Sequence, residues 1–71
     1  MEPRDAFAAN LRRRRAEAGL TQEELAHRCG LHRTEISLLE RAVRSPRLET
    51  IVALSRSLQD VSPSDLLNGI V

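Results

Sequence analysis

Between Arg33 and Arg41 the sequence sets a guanidinium, two hydroxyls and an apolar group at spacings that gather them on one side of a helix. Thr34, Ser37, Leu38 and Arg41 follow the i, i+3, i+4, i+7 rule and share a face, with Arg33 at its leading edge. One step round the same helix, Ile36 and Leu39 point the other way, toward a core expected to include Leu31 and Val43. A guanidinium is a planar fork of donors that fits phosphate oxygens or the edge of a guanine, and hydroxyls donate or accept as needed. These groups suit recognition rather than bond breaking.

Other chemistry finds little support. His27, Cys29 and His32 form a loose cluster across a helix end, but they leave different faces and no second ligand group exists elsewhere, so no metal site is expected. Cys29 follows Leu25 by one helical turn and reads as a small core residue. The chain has no glycine-rich phosphate loop and no nucleophile with a matched base. Neither an enzyme nor a cofactor is expected.

Seventy-one residues make a single domain near the lower size limit for independent folding. Phe7 is the only aromatic, so the core must come from Leu, Ile, Val and Ala, which favours packed helices over a sheet sandwich. The net charge of +1 argues for no partner, but its distribution is uneven. All eleven basic residues are arginines; residues 1–47 hold ten of them against seven acids, and the remainder holds one against three. Charge alone is also what solvated helix faces with intrahelical ion pairs would give. A lone cysteine forms no internal disulfide, no apolar run is long enough for a membrane span, and the acidic, proline-containing start is unlike a secretion signal, so a cytoplasmic protein is expected.

The elements that must position the polar face announce themselves at their starts. Thr21 with Glu24 forms a capping box flanked by the staple Leu20 and Leu25, and Ser62, Pro63 and Asp65 repeat the pattern with Val61 and Leu66. Leu31 and Ile36 bracket a third start, where His32 is a poor cap and Glu35 stands at the box position. Gly19 and Gly30 end the preceding helices. A fourth helix places Leu48, Ile51, Val52, Ser55 and Leu58 on one stripe. The reading is all-α: five short helices at about 5–18, 22–29, 33–41, 48–58 and 63–68, without strand, repeat or linker. Only Gly30, Leu31 and His32 separate the second helix from the third, as in a helix-turn-helix unit from Thr21 to Arg41.

From Leu11 to Leu67 the chain resembles the phage-repressor or Cro-like helix-turn-helix proteins, the XRE family. The resemblance rests on LRRRRAEAGLTQEELAHRCGLHRTEISLLERA, followed by SPRLETIVALSRSL and VSPSDLL. It implies a compact five-helix lambda-repressor-like domain that binds double-stranded DNA and sets its third helix in the major groove. By position, Gln22 would grip a phosphate and buttress the reading helix. Arg33, Thr34, Glu35, Ser37 and Leu38 would reach bases or flanking phosphates: Arg33 to a guanine, Glu35 to a cytosine amino group, Leu38 to a thymine methyl. Glu35 serves equally well as the cap of its own helix. Arg41 completes the face, Arg44 and Arg47 would clamp phosphates, and Arg15 with Glu40 would form a partly buried ion pair joining helix one to helix three. The chain departs from the family pattern at Ala42, where a glycine is usual, at Gln59-Asp60, at His32, and at Arg14, which falls on the apolar stripe of Phe7 and Leu11.

These features together imply a transcriptional regulator acting as a symmetric homodimer on half-sites about 34 Å apart. A restriction–modification controller and a phage-type repressor both fit. Val61, Leu66, Leu67 and Ile70 are the expected dimer contact, or else they close the monomer core. No sensing domain, and hence no small-molecule ligand, is expected. The competing function is a docking or antitoxin-type module that uses the same fold without DNA.

Overall fold

A computed structural model describes residues 2–70. The chain forms α1 (Pro3–Glu17), α2 (Gln22–Cys29), α3 (Arg33–Glu40), α4 (Leu48–Ser57) and α5 (Pro63–Leu66), with no strand among the described residues. The two capping boxes form as expected. The Glu24 amide donates to Thr21 Oγ1 at 3.0 Å while the Thr21 amide donates to the Glu24 carboxylate at 2.8 Å. Ser62 and Asp65 make the same exchange at 3.3 and 2.9 Å. Helix α1 starts two residues earlier than expected, because Glu2 and Asp5 build a third box around Pro3 at the first helical position. Glutamate is a weak capping type, so this start carries little local signal.

Helix α1 packs on α3 and α5, α2 packs on α3 and α4, and α4 packs on α5. Phe7, Leu11, Leu25, Ile36, Leu39, Leu54 and Leu66 are fully enclosed between them, with Leu20, Ala26, Ile51 and Leu58 completing the core. Among the described residues, Asn10 is one of four buried polar residues, with Glu40, Thr50 and Ser55. Its amide donates to the carbonyls of Leu66 at 2.9 Å and Asn68 at 2.8 Å, supplying partners for carbonyls at the end of a helix only four residues long. So short a helix has no stability of its own, and it persists because α1 and α4 hold it.

Two apolar expectations are corrected. Val43 is 57% exposed rather than inward, because the chain leaves α3 through a tight reversal: the Ala42 amide bonds the Leu39 carbonyl and the Val43 amide bonds the Leu38 carbonyl. Leu48 is 73% exposed. It opens α4, and helical side chains lean toward the N-terminus, so the first residue reaches past the helix end with no preceding turn to cover. The buried face of α4 is Thr50, Ile51, Leu54 and Ser55, continued by Leu58 just past its end, rotated from the expected stripe and centred on Leu54.

The reversal after α3 is a Schellman turn that requires a left-handed residue. Ala42 fills that position with φ 59°. A Cβ is disfavoured there by about 1 kcal/mol relative to glycine. Asp60 is also left-handed, at φ 57°, and turns the corner between α4 and α5 where a glycine was expected.

Ala42→Gly should stabilise the domain by about 1 kcal/mol, raising Tm by about 4–8 °C in calorimetry; an unchanged or lower Tm would mean the turn carries no strain. The Glu24 carboxyl is held below its ordinary range by the Thr21 amide, then by the Thr21 hydroxyl, and the Ser62 amide and hydroxyl do the same for Asp65. Both groups bind protons more weakly when folded. Their contribution is therefore complete above the ordinary carboxylate range and is lost as pH falls through the lowered folded values. Glu24→Gln should lower the urea midpoint at neutral pH and converge on the parent in acid.

Candidate nucleic-acid interface

The polar face of α3 is presented by a helix that receives little help from its own ends. His32, at the N-cap, makes no side-chain capping bond, and the last turn carries no basic residue. Eight residues make a helix about 12 Å long that would be marginal alone. Its position is set from behind, by a carboxylate. Glu40 is 3% exposed. It accepts from Arg15 Nε at 2.6 Å and Arg15 Nη2 at 2.9 Å, a two-pronged pair joining α1 to the end of α3. Arg15 Nη1 donates to the Leu20 carbonyl at 2.9 Å, and the guanidinium is held still more firmly in its charged form, chiefly by the hydrogen bond to Glu40. Arg12, one turn earlier on α1, donates to the backbone carbonyl of Glu40.

Gln22 enters the same network. Its Nε2 donates to Glu40 Oε1 at 3.0 Å, which ties the first residue of α2 to the last residue of α3. One amide hydrogen is used inward, leaving the second and the amide oxygen for an outside partner. Gln22, Arg33, Thr34 and Ser37 line one shallow groove on the outer surface, continuous through Gln22 and Arg33 with a second lined by Arg15, Thr21 and Glu23. Arg33, Thr34 and Arg41 are exposed, while Ser37 and Leu38 are half-buried.

Glu35 lies elsewhere. It lines a separate cleft of about 360 Å³ with Leu31, Arg44, Ser45, Arg47 and Thr50, between α3 and the start of α4. It stands one residue off the rule that gathers Thr34 and Ser37, and the loop arginines meet it there. Arg44 and Arg47 are both exposed. Of the four apolar residues expected at a dimer contact, Leu66 is fully buried within the subunit, and Val61 and Ile70 lie against the same core. Leu67 alone turns outward, at 39% exposure. The reason is spacing: α5 is a single turn, so its inward residue must seal the gap between α1 and α4.

Sequence reasoning missed Arg12 and Asn10. Both carried a signal. Arg12 stands three residues before Arg15 and so shares its face, and Asn10 interrupts the apolar run of Ala6, Phe7, Ala8 and Leu11. Arg14 bridges Glu17 at 3.6 Å and Asp65 at 3.7 Å, so its head leaves the apolar stripe toward the first turn of α5. Cys29 packs against the core, its thiol 3.2 Å from Ser57 Oγ, and burial pushes its pKa up against the opposing effect of that hydrogen bond. Among the described residues no three His, Cys, Asp or Glu side chains cluster to hold a metal, and no helix is long and apolar enough to cross a membrane.

Two helices joined by a short glycine turn, the second one polar outside and anchored inside, define a helix-turn-helix DNA-binding protein. Residues 11–66 match the Helix-turn-helix model HTH_3, and the chain belongs to this family of Cro/C1-type regulators. It is similar to the control protein C.BamHI of Bacillus amyloliquefaciens, with 44% identity over 55 residues covering 78% of this chain and 67% of that one. The control protein C.SmaI of Serratia marcescens is 38% identical over 63 residues, covering 89% and 75%. The crystal structure of the restriction–modification controller C.AhdI from Aeromonas hydrophila has a TM-score of 0.84 at 36% identity, covering 89% of this chain and 94% of that one. The protein is a DNA-binding transcriptional regulator and not an enzyme.

Glu40 is buried and Arg15 only partly so. Arg15→Ala strands the carboxylate and should cost about 3–5 kcal/mol, a large part of the roughly 4–10 kcal/mol expected of a domain this size, whereas Glu40→Ala leaves a guanidinium that still reaches water and should cost less. Chemical denaturation of both single variants and the double variant measures this. A double variant no less stable than either single would attribute the loss to the stranded charge, whereas additive losses would deny the coupling.

Proposed function

We propose that the protein regulates transcription in the cytoplasm as a homodimer on a two-fold symmetric operator, with α3 of each subunit in the major groove. In this reading the whole chain is one DNA-binding domain. Arg33, Thr34, Ser37 and Leu38 approach base edges, and Gln22, Arg41, Arg44 and Arg47 hold phosphates. Glu35, in the loop-arginine cleft, bears on DNA through those arginines rather than through a base. The observation that carries the reading is the convergence of Gln22, Arg33, Thr34 and Ser37 on one outer groove, on a helix fixed from behind by the buried Glu40 carboxylate. Likeness to the restriction–modification controller C.AhdI and to the control proteins C.BamHI and C.SmaI supports a comparable controlling role here.

Selection from a random duplex pool, then titration at several salt concentrations, tests this. The affinity of the selected site should fall linearly on log–log axes with a slope set by the phosphates neutralised, about 0.9 per contact. Arg33→Ala should cost about 1–3 kcal/mol on the preferred site and relax choice at one base position. Arg44→Ala should weaken every sequence alike and reduce the slope by about one unit. Identical behaviour of the two variants would overturn this division of roles. Weak binding at every salt concentration would point instead to a docking or antitoxin-type module.

A further inference from the structure

We propose that Arg12 is a positioning residue for base recognition: by gripping the main chain of Glu40 it fixes the last turn of α3, without touching DNA itself. The inference rests on α3 being the reading helix and adds a residue that the outer groove does not contain. The carbonyls that close α3 show the need for it. Those of Ser37, Leu38 and Leu39 accept from the amides of Arg41, Val43 and Ala42, at 3.0, 3.0 and 3.2 Å. The Glu40 carbonyl receives no backbone amide among the described residues, and its donor is Nη1 of Arg12, twenty-eight residues away. The last turn of α3 holds no basic residue of its own, so Arg12 also brings the positive charge that the carbonyl end of a helix favours.

Arg15 holds the same residue at a different point. It grips the Glu40 carboxylate, which joins the backbone through rotatable bonds. A small tilt of the helix end, unlike a shift of the whole helix, can be absorbed in those bonds with the ion pair intact. A second grip on the main-chain carbonyl removes this freedom, because the carbonyl moves with the helix itself. Arg12 and Arg15 stand one turn apart on α1, so a single helix face makes both contacts. Ser37 and Leu38 lie within the turn that Glu40 ends, whereas Arg33 opens the helix at its other end. A looser last turn therefore blurs the base positions met by Ser37 and Leu38 and spares the one met by Arg33. Arg12 is exposed, so its removal opens the carbonyl to water rather than stranding a buried charge, and the fold survives.

Random-pool selection with the full chain carrying Arg12→Ala, then titration of the selected and of a random duplex, tests this. The variant should keep the helical content and salt slope of the parent. Its ratio of selected-site to random-duplex affinity should fall by about tenfold. Preference should relax at the base positions that Leu38→Ala relaxes and hold at the one that Arg33→Ala relaxes. Arg12→Lys, which keeps a charged donor of similar length, should restore the ratio. Arg13→Ala removes an exposed arginine one position along and should leave the ratio unchanged. Hydrogen exchange gives a second readout: the Val43 amide, bonded to the Leu38 carbonyl, should exchange faster in Arg12→Ala while the amides of α2 match the parent. A salt slope reduced by about one unit would make Arg12 a phosphate contact and overturn the proposal. So would an unchanged ratio, an equal loss in Arg13→Ala, or relaxation spread evenly over every base position. A parent that selects no sequence at all would instead overturn the reading of α3 on which the proposal rests.

Discussion

A carboxylate withdrawn from water at the end of α3 governs the geometry of the domain. Glu40 lies at 3% exposure and is matched by three side-chain donor bonds, two from Arg15 and one from Gln22. Burying an ion pair is costly, and well-packed apolar residues often stabilise a fold more. The pair gives what apolar packing does not, a fixed orientation. Hydrophobic contact is non-directional, whereas a two-pronged guanidinium–carboxylate contact is satisfied only over a narrow range of angles. Residues from α1, α2 and α3 converge on one group, so a shift of α3 relative to either neighbour breaks a charged hydrogen bond inside the fold.

This arrangement explains how stability is distributed. Helices α2 and α5 begin with complete capping boxes, and α1 adds a third built on Glu2 and Asp5. Helix α3 has no side-chain cap at its start and an alanine in the left-handed position after its end. Helix α4 also starts without a side-chain cap; on α3 tertiary contacts stand in for the missing local ones: Ile36 and Leu39 in the core, Glu40 in the ion pair, and Arg12 on the final carbonyl. Side chains that face a ligand cannot also cap and brace the helix that carries them. The bracing therefore comes from α1, whose arginines run along the back of the unit.

How much of this was legible in the sequence depended on range. Thr21–Glu24 and Ser62–Asp65 act within four residues, and the starts of α2 and α5 were readable from them; Gly19 and Gly30 likewise marked the ends of α1 and α2. The Arg15–Glu40 pair spans twenty-five residues and was visible only through resemblance to a family. What stayed hidden was decided by packing. Periodicity places α4 but not its rotation, so it puts Leu48 on the inward stripe and leaves Leu54 off it, the reverse of the packing observed. Hydrophobicity left Leu66 open between a dimer contact and closure of the core, and a single-turn helix over a gap turns that residue in. Glu35 differs from Thr34 by one position along the chain and about 100° around the helix, enough to move it from the outer groove to the loop cleft.

The connection after α3 shows why these decisions are not independent. Its first bend is fixed by Ala42 at positive φ and by the two amide bonds back to Leu38 and Leu39. That one turn sends Val43 outward and aims the chain that carries Arg44 and Arg47. A glycine there would relieve the strain but add freedom to the unfolded chain, whereas alanine confines the chain more in both states. An altered exit from α3 would therefore displace Arg44 and Arg47 together. The absolute position of that backbone traces again to Glu40, the last helical residue before the turn and the one held from both α1 and α2.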